Sequence, residues 1–167
     1  HNEDAAVKLR KTVENYFTNL PITYIIGVLA DKEHEKVLKE LLPYSGAVFT
    51  VTPENRRAME ADKLAAEAIQ VLDMRKQQKE EPEDKAGENA VKKAEKRPEV
   101  TACSSIEQAV ELALKETQKD GVILAFGSLS YLKEVKKLMH AKQAGTECTE
   151  KPAEKADSRE KVTHQSR

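Results

Sequence analysis

Two rhythms of apolar residues alternate along this chain. The run Tyr24-Ile25-Ile26-Gly27-Val28-Leu29-Ala30 is nearly all apolar and rich in β-branched residues. It predicts a strand over residues 22–29 buried on both faces, with Pro21 set just before it. Residues 47–51, 100–103 and 122–126 read the same way, and Thr52-Pro53 and Gly127-Ser128 close two of them. Between the strands the spacing changes to that of a helix. Ala6, Leu9, Val13 and Phe17 predict a helix over residues 4–17; Val37, Leu38, Leu41 and Leu42 predict another over 32–42, stopped by Pro43. Leu64, Ala65, Ala68, Ile69 and Leu72 mark a third, starting near Glu60. A capping-box pattern at Ser104 and Glu107 opens a fourth, continued by Ile106, Ala109, Val110, Ala113 and Leu114. Leu132, Val135, Leu138 and Met139 share one face of a last helix after Ser128.

Strict alternation of buried strands with helices predicts an α/β fold, a mainly parallel, Rossmann-like sheet with helices on both faces. In such sheets ligands collect in the crevice outside the carboxyl ends of the strands. The loops that leave those ends are therefore where chemistry is sought.

Composition changes the picture of where the folding material lies. Charged residues make up 34% of the chain and aromatics 4%, but they are unevenly spread. Between residues 73 and 99, 16 of 27 residues are charged, eight basic and eight acidic; from residue 142 onward there is no Ile, Leu, Phe, Tyr or Trp. Neither stretch buries enough apolar surface to offset about 1–2 kcal/mol of backbone ordering entropy per residue. The expected organisation is a single α/β domain over residues 1–141, interrupted by a charged flexible linker at 73–99 and followed by a disordered polar tail at 142–167.

The net charge of −1, with acids and bases interspersed, offers no basic stripe for nucleic acid. Cys103 in a predicted strand and Cys148 in the polar tail suggest neither a disulfide nor a metal site, so a reducing compartment fits. The longest apolar run is seven residues, against about 20 needed to cross a bilayer. A soluble, cytoplasmic chain without a membrane partner is expected. The chain opens at His1 with no initiator Met, directly on a helical pattern that no strand precedes, which leads us to expect a piece of something longer.

Three loops carry candidate chemistry. Asp31-Lys32 follows the first strand. A carboxylate and an ammonium can hold a nucleotide's ribose or phosphate, or hold each other; the plain alternative is an N-cap Asp beside a solvated Lys. After the second strand, Pro53 restrains the loop that reaches Arg56 and Arg57. An Arg there can grip a carboxylate through two parallel hydrogen bonds, and exposed arginines on a turn are the alternative. At Gly127-Ser128-Leu129, small residues at a strand-to-helix junction let backbone N–H groups and a hydroxyl face an anion, or Ser128 simply caps the helix. His34 and His140 stand alone on helical surfaces and read as solvated. The chain has no G-x-x-x-x-G-K-[ST] loop and no G-x-G-x-x-G fingerprint, so a self-sufficient nucleoside triphosphatase is excluded. Two readings stay open on these residues: half of an active site, or a stand-alone module whose strand ends bind an anion or a protein.

Taken in order, the loops resemble the carboxyl-terminal domain of folylpolyglutamate synthase, often bifunctional as dihydrofolate synthase, in the Mur ligase superfamily. His1-Asn2 is similar to the end of that family's Asp-Gly-Ala-His-Asn motif, and Gly27-Val28-Leu29-Ala30-Asp31-Lys32 resembles its next strand and loop. Thr52-Pro53-Glu54-Asn55-Arg56-Arg57-Ala58 resembles its Thr-Pro-Glu-Asn-Pro-Arg-Ala segment, and Gly127-Ser128-Leu129-Ser130-Tyr131-Leu132 its Gly-Ser-Leu-Tyr-Leu motif. The resemblance implies an ATP-dependent ligase that adds L-glutamate to the γ-carboxyl of a folate through an acyl phosphate. It implies a domain that closes over an N-terminal ATPase domain, lends contacts to nucleotide and glutamate, and is inactive without that partner. ATP and Mg would be bound mainly by the ATPase domain, and no metal ligand is implied here. Carried over residue by residue, His1 is the candidate catalytic histidine, Asp31 and Lys32 are nucleotide contacts in the interdomain cleft, and Arg57 and Ser128 hold glutamate carboxylates. Another Mur-type ligase, adding an amino acid to a cell-wall precursor, would share the mechanism with a different substrate. The chain departs from the pattern in three places. The Asp that precedes the motif histidine by three positions is not in it, Arg56 stands in place of a proline, and the 73–99 stretch is longer and more charged than the loop expected there.

Overall fold

The computed structural model describes residues 3–17, 20–78 and 97–147. His1 and most of the predicted linker and tail lie outside them. Helix α1, Glu3–Tyr16, leads into strand β1, Ile22–Gly27. Helix α2, His34–Leu41, ends in a 3-10 turn at Leu42–Tyr44, where Pro43 cannot continue the α-helix, and β2 follows at Ala47–Thr50. Helix α3, Ala61–Gln78, precedes β3, Glu99–Ala102; α4, Ile106–Glu116, precedes β4, Val122–Gly127; and α5, Leu129–Glu147, comes last. The strands form one sheet in the order β3-β2-β1-β4, every pair parallel. This is the α/β, Rossmann-like architecture expected.

The continuous apolar run of β1 resolves into two cores. Tyr24 and Ile26 pack with Val37, Leu38 and Leu41 of α2, Leu64 and Ala68 of α3, and Ala6 and Val13 of α1. Ile25 and Phe49 pack on the opposite face with Ile106 and Val110 of α4 and Tyr131 and Val135 of α5. The right-handedness of βαβ crossovers explains the partition. Stepping outward from β1 to β2 to β3 keeps α2 and α3 on one face. The return to β4, on the far side of β1, reverses direction and puts α4 on the other. The sheet's switch point therefore lies between β1 and β4. Tyr24 and Phe126 meet edge to face across it, with ring centroids 5.1 Å apart.

Helix α1 is fastened by charge as well as by Ala6 and Val13. Arg10 Nε donates to Glu40 of α2 at 2.7 Å, its NH1 donates to Glu14 at 2.9 Å, and the Tyr44 hydroxyl donates to the same Glu14 carboxylate.

Several boundaries differ from expectation for identifiable reasons. Strand β1 stops at Gly27 because residues 28–30 leave the parallel ladder for an antiparallel contact, Leu29 opposite Ala58. Helix α4 is capped by Ser105 rather than Ser104: Gln108 N–H donates to Ser105 Oγ at 3.1 Å, and Ser104 N–H donates to Gln108 Oε1 at 2.7 Å. The box is closed by a glutamine, so Glu107 has no part in it. Helix α3 continues through residues 73–78, and α5 through 142–147, each into a stretch read from composition as unfolded. Both stretches continue an amphipathic helix already nucleated on a buried face, and propagation costs far less than nucleation.

Candidate functional site at the carboxyl edge of the sheet

All four strands run parallel, so the three candidate loops emerge along one edge. They divide into two different structures.

Over β1 and β2 the edge is built by crossed loops. Ala30 N–H donates to Arg57 O at 2.8 Å, and Met59 N–H donates to Val28 O at 3.0 Å. Asn55 shapes the second loop, its Oδ1 accepting from Arg57 N–H at 2.9 Å while its carbonyl accepts from Ala58 N–H. This pairing brings Arg57 NH1 to Asp31 Oδ2 at 2.9 Å, with the two side chains 61% and 47% exposed. Asp31 is not the cap of α2: that position is Glu33, which makes no side-chain cap bond. Asp31 and Lys32 do not hold each other. Asp31 holds Arg57 instead.

Over β1 and β4 the edge is closed by packing. Gly27 and Gly127 lie side by side in the ladder. Gly127 has φ of 121°, and a Cβ there would sit 2.2 Å from the Gly27 carbonyl oxygen. A Cβ on Gly27 would press on Val51, Pro53 and Tyr131 at 2.9–3.0 Å. Tyr131 lies fully buried beneath this junction. Its oxygen accepts from Gly27 N–H at 3.1 Å, and its hydroxyl proton serves Phe126 O at 2.6 Å, with Ile25 O at 3.0 Å. Burial pushes its pKa well above the ordinary tyrosine value, against the lowering effect of the backbone bonds. Ser128 is 5% exposed, and its Oγ lies 2.8 Å from Ser130 Oγ. The next residue, Leu129, is the exposed one, at 75%.

A cavity of about 200 Å³ sits at the switch point, and Lys32, Gly127 and Leu129 are in its lining. Asp31 and Arg57 stand outside it. The structure thus pairs Asp31 with Arg57, sets Lys32 on the cavity and buries Ser128 between; the candidate catalytic His1 lies outside the described residues. Two features escaped the sequence. Tyr131 enters the sequence reading only as a letter of the segment Gly127 to Leu132, and nothing there tells that its hydroxyl holds three strand-end groups. His34, read as solvated, pairs through Nε2 with Glu67 of α3 at 2.7 Å, a contact between helices that no local pattern encodes. At the third strand end, Cys103 is buried, and burial pushes its thiol pKa up to about 11.

Parallel strands with helices on both faces, and polar loops gathered over the carboxyl edge, define the class: an open α/β domain with its ligand crevice at the strand ends. Within that class, the family model described as Mur ligase, glutamate ligase domain matches residues 1–129. The chain belongs to this family. A sequence search of curated proteins found no match. Among solved structures, Escherichia coli FolC in complex with DHPP and ADP is similar at a TM-score of 0.64 and 18% identity, over 86% of this chain and 28% of that one. Thermotoga maritima folylpolyglutamate synthase is similar at 0.58 and 18%, over 85% of this chain and 26% of that one. Mycobacterium tuberculosis folylpolyglutamate synthase complexed with ADP is similar at 0.53 and 17%, over 91% and 29%. The chain therefore spans less than a third of the length of these proteins, and the likeness is one of fold. Among the described residues no helix is long and apolar enough to cross a membrane.

Proposed function

We propose that this chain is the glutamate-ligase portion of a cytoplasmic, ATP-dependent ligase that adds L-glutamate to the γ-carboxyl of a folate. The family match over residues 1–129 carries the reading, and the fold shared with folylpolyglutamate synthases supports the choice of folate. In this reading residues 1–141 act as one domain and work only with an ATPase domain outside these residues. ATP supplies the phosphoryl group that activates the folate carboxylate as an acyl phosphate, which the glutamate amine then displaces. Magnesium, like ATP, is assigned mainly to the ATPase domain.

Recognition is what this chain's own residues contribute. Arg57 carries five N–H donors and spends one nitrogen on Asp31, leaving most of its fork for a carboxylate of glutamate. Asp31 pre-aims that fork, and with Lys32 it offers an acceptor and a cation to a nucleotide's ribose and phosphates. His1 takes the place beside the reacting phosphate. Ser128 has a different part from the one the resemblance implies. Its hydroxyl is enclosed with Ser130, so we assign it to holding the start of α5 rather than to glutamate.

Glutamate addition measured by mass spectrometry tests the reading. This chain alone is expected to show none, and the chain joined to its ATPase domain is expected to extend a folate. In the joined protein Arg57→Ala should raise KM for glutamate by about tenfold or more, the scale of a lost charged hydrogen bond, with a smaller change in kcat. A well-folded joined protein that leaves folates unextended would overturn the proposal.

A further inference from the structure

The cavity at the switch point is unused by the ligase reading beyond its rim at Lys32. Leu9, Val37, Leu41, Phe126 and Leu132 give it an apolar wall. Its volume of about 200 Å³ is comparable to the engineered cavity of about 150 Å³ that takes up benzene in another protein. Two polar side chains interrupt the wall. Lys32 enters no ion pair among the described residues. His34 meets Glu67 through Nε2 while its Nδ1 is enclosed without a hydrogen-bond partner. Helices α1, α2 and α5 all begin here, and the partial positive charge at each N-terminal end adds to that of Lys32. The first turns of α1 and α2 also carry Glu3, Asp4 and Glu35, with Glu33 at the cap of α2; Lys36 holds Glu3 and Glu33 at 2.8 and 3.1 Å, and Lys39 holds Glu35 at 2.6 Å.

We infer that this cavity is a binding site for a small apolar anion: a single aromatic ring, or a branched aliphatic group of that size, bearing a carboxylate. The apolar body fills the cavity. The carboxylate rests at the rim, where Lys32 and the helix ends supply positive charge. The inference concerns this chain alone, without ATP, so it stands or falls apart from the ligase reading.

Methyl and amide NMR of this chain tests it, with benzoate as the anionic probe, benzyl alcohol as its neutral counterpart, and ATP as competitor. Benzoate is expected to give saturable shifts at the methyls of Leu9, Val37, Leu41 and Leu132. Lys32→Met should weaken benzoate by about threefold to fivefold, the scale of one partly exposed charge pair, and leave benzyl alcohol unchanged. Ala5→Phe, at an exposed position on the lining, should block both probes while the rest of the spectrum keeps its dispersion. The proposal is overturned by benzoate shifts scattered away from the cavity, by an equal response of both probes to Lys32→Met, or by binding that survives Ala5→Phe. Displacement of benzyl alcohol by ATP would also overturn it, because the neutral probe occupies the cavity without Lys32. Loss of benzoate binding through Ala5→Phe leaves glutamate addition by the joined protein untouched, so the two ideas fail separately.

Discussion

The two halves of the carboxyl edge are made of unlike materials. Over β1 and β4, two glycines, a buried tyrosine and a buried serine interlock so closely that neither glycine has space for a Cβ. Over β1 and β2, two crossed loops leave a charged pair in water. Both halves come from motif-like letters in the sequence, yet the first set builds a frame and the second leaves its polar groups exposed. A resemblance between loops therefore does not make every shared letter a contact. The mutational response should separate the two halves.

The largest expected effect lies in the frame. Gly127→Ala forces a side chain into positive φ and against the Gly27 carbonyl, and should cost at least about 3 kcal/mol in urea denaturation, or prevent folding. Tyr131→Phe keeps the ring and removes the hydroxyl. It leaves Gly27 N–H buried without its partner and should cost about 1–3 kcal/mol, with faster amide exchange at Gly27.

Alkaline pH should sharpen the contrast from the same side. Cys103 has its folded pKa raised from 9.0 to about 11, so its contribution is fully present below pH 9 and is lost as pH rises through 11. The unfolded thiol ionises first and draws the equilibrium toward unfolding. Tyr131 and Tyr24, also raised by burial, extend the fall above pH 10. Denaturation midpoints should therefore decline from pH 9 upward, and Cys103→Ala should flatten the part between 9 and 11. An unchanged slope in that variant would assign the decline to the tyrosines.

The smallest effect on stability belongs to the exposed pair. Asp31→Asn and Arg57→Ala should each change stability by less than about 1 kcal/mol, with a coupling that fades in salt. A double-mutant cycle in low and high salt measures it. A loss comparable to that of Tyr131→Phe would mean that this half is frame as well.

Fold class was legible because strand and helix periods alternate cleanly from Ala6 to Met139, and the cores follow those periods except on α3, where Ile69 is exposed and Val71 is buried in its place. Boundaries were less so. Pro43 announced the end of α2, but nothing local reveals that residues 28–30 leave the ladder to pair with residues 57–59. Composition misjudged residues 73–78 and 142–147, because charge content describes what an isolated segment can bury and ignores the helix already growing into it. Asp31 and Arg57 were singled out separately; their ion pair across 26 positions is a product of the crossed loops. Ser128 was noticed both as cap and as ligand contact, and only burial distinguishes the two.

The segment between α3 and β3 has a consequence of its own. Asp73 and Arg97 are joined at 3.0 Å, so the flanks of that insertion are stapled together before the chain enters it. Helix α3 sets out from the carboxyl ends and β3 begins level with the first residue of β2, so the junction sits at the opposite pole of the domain from Arg57 and Lys32. Length and charge can drift there, or a fluorophore or affinity handle be grafted, with the whole length of the strands between it and the carboxyl-edge loops.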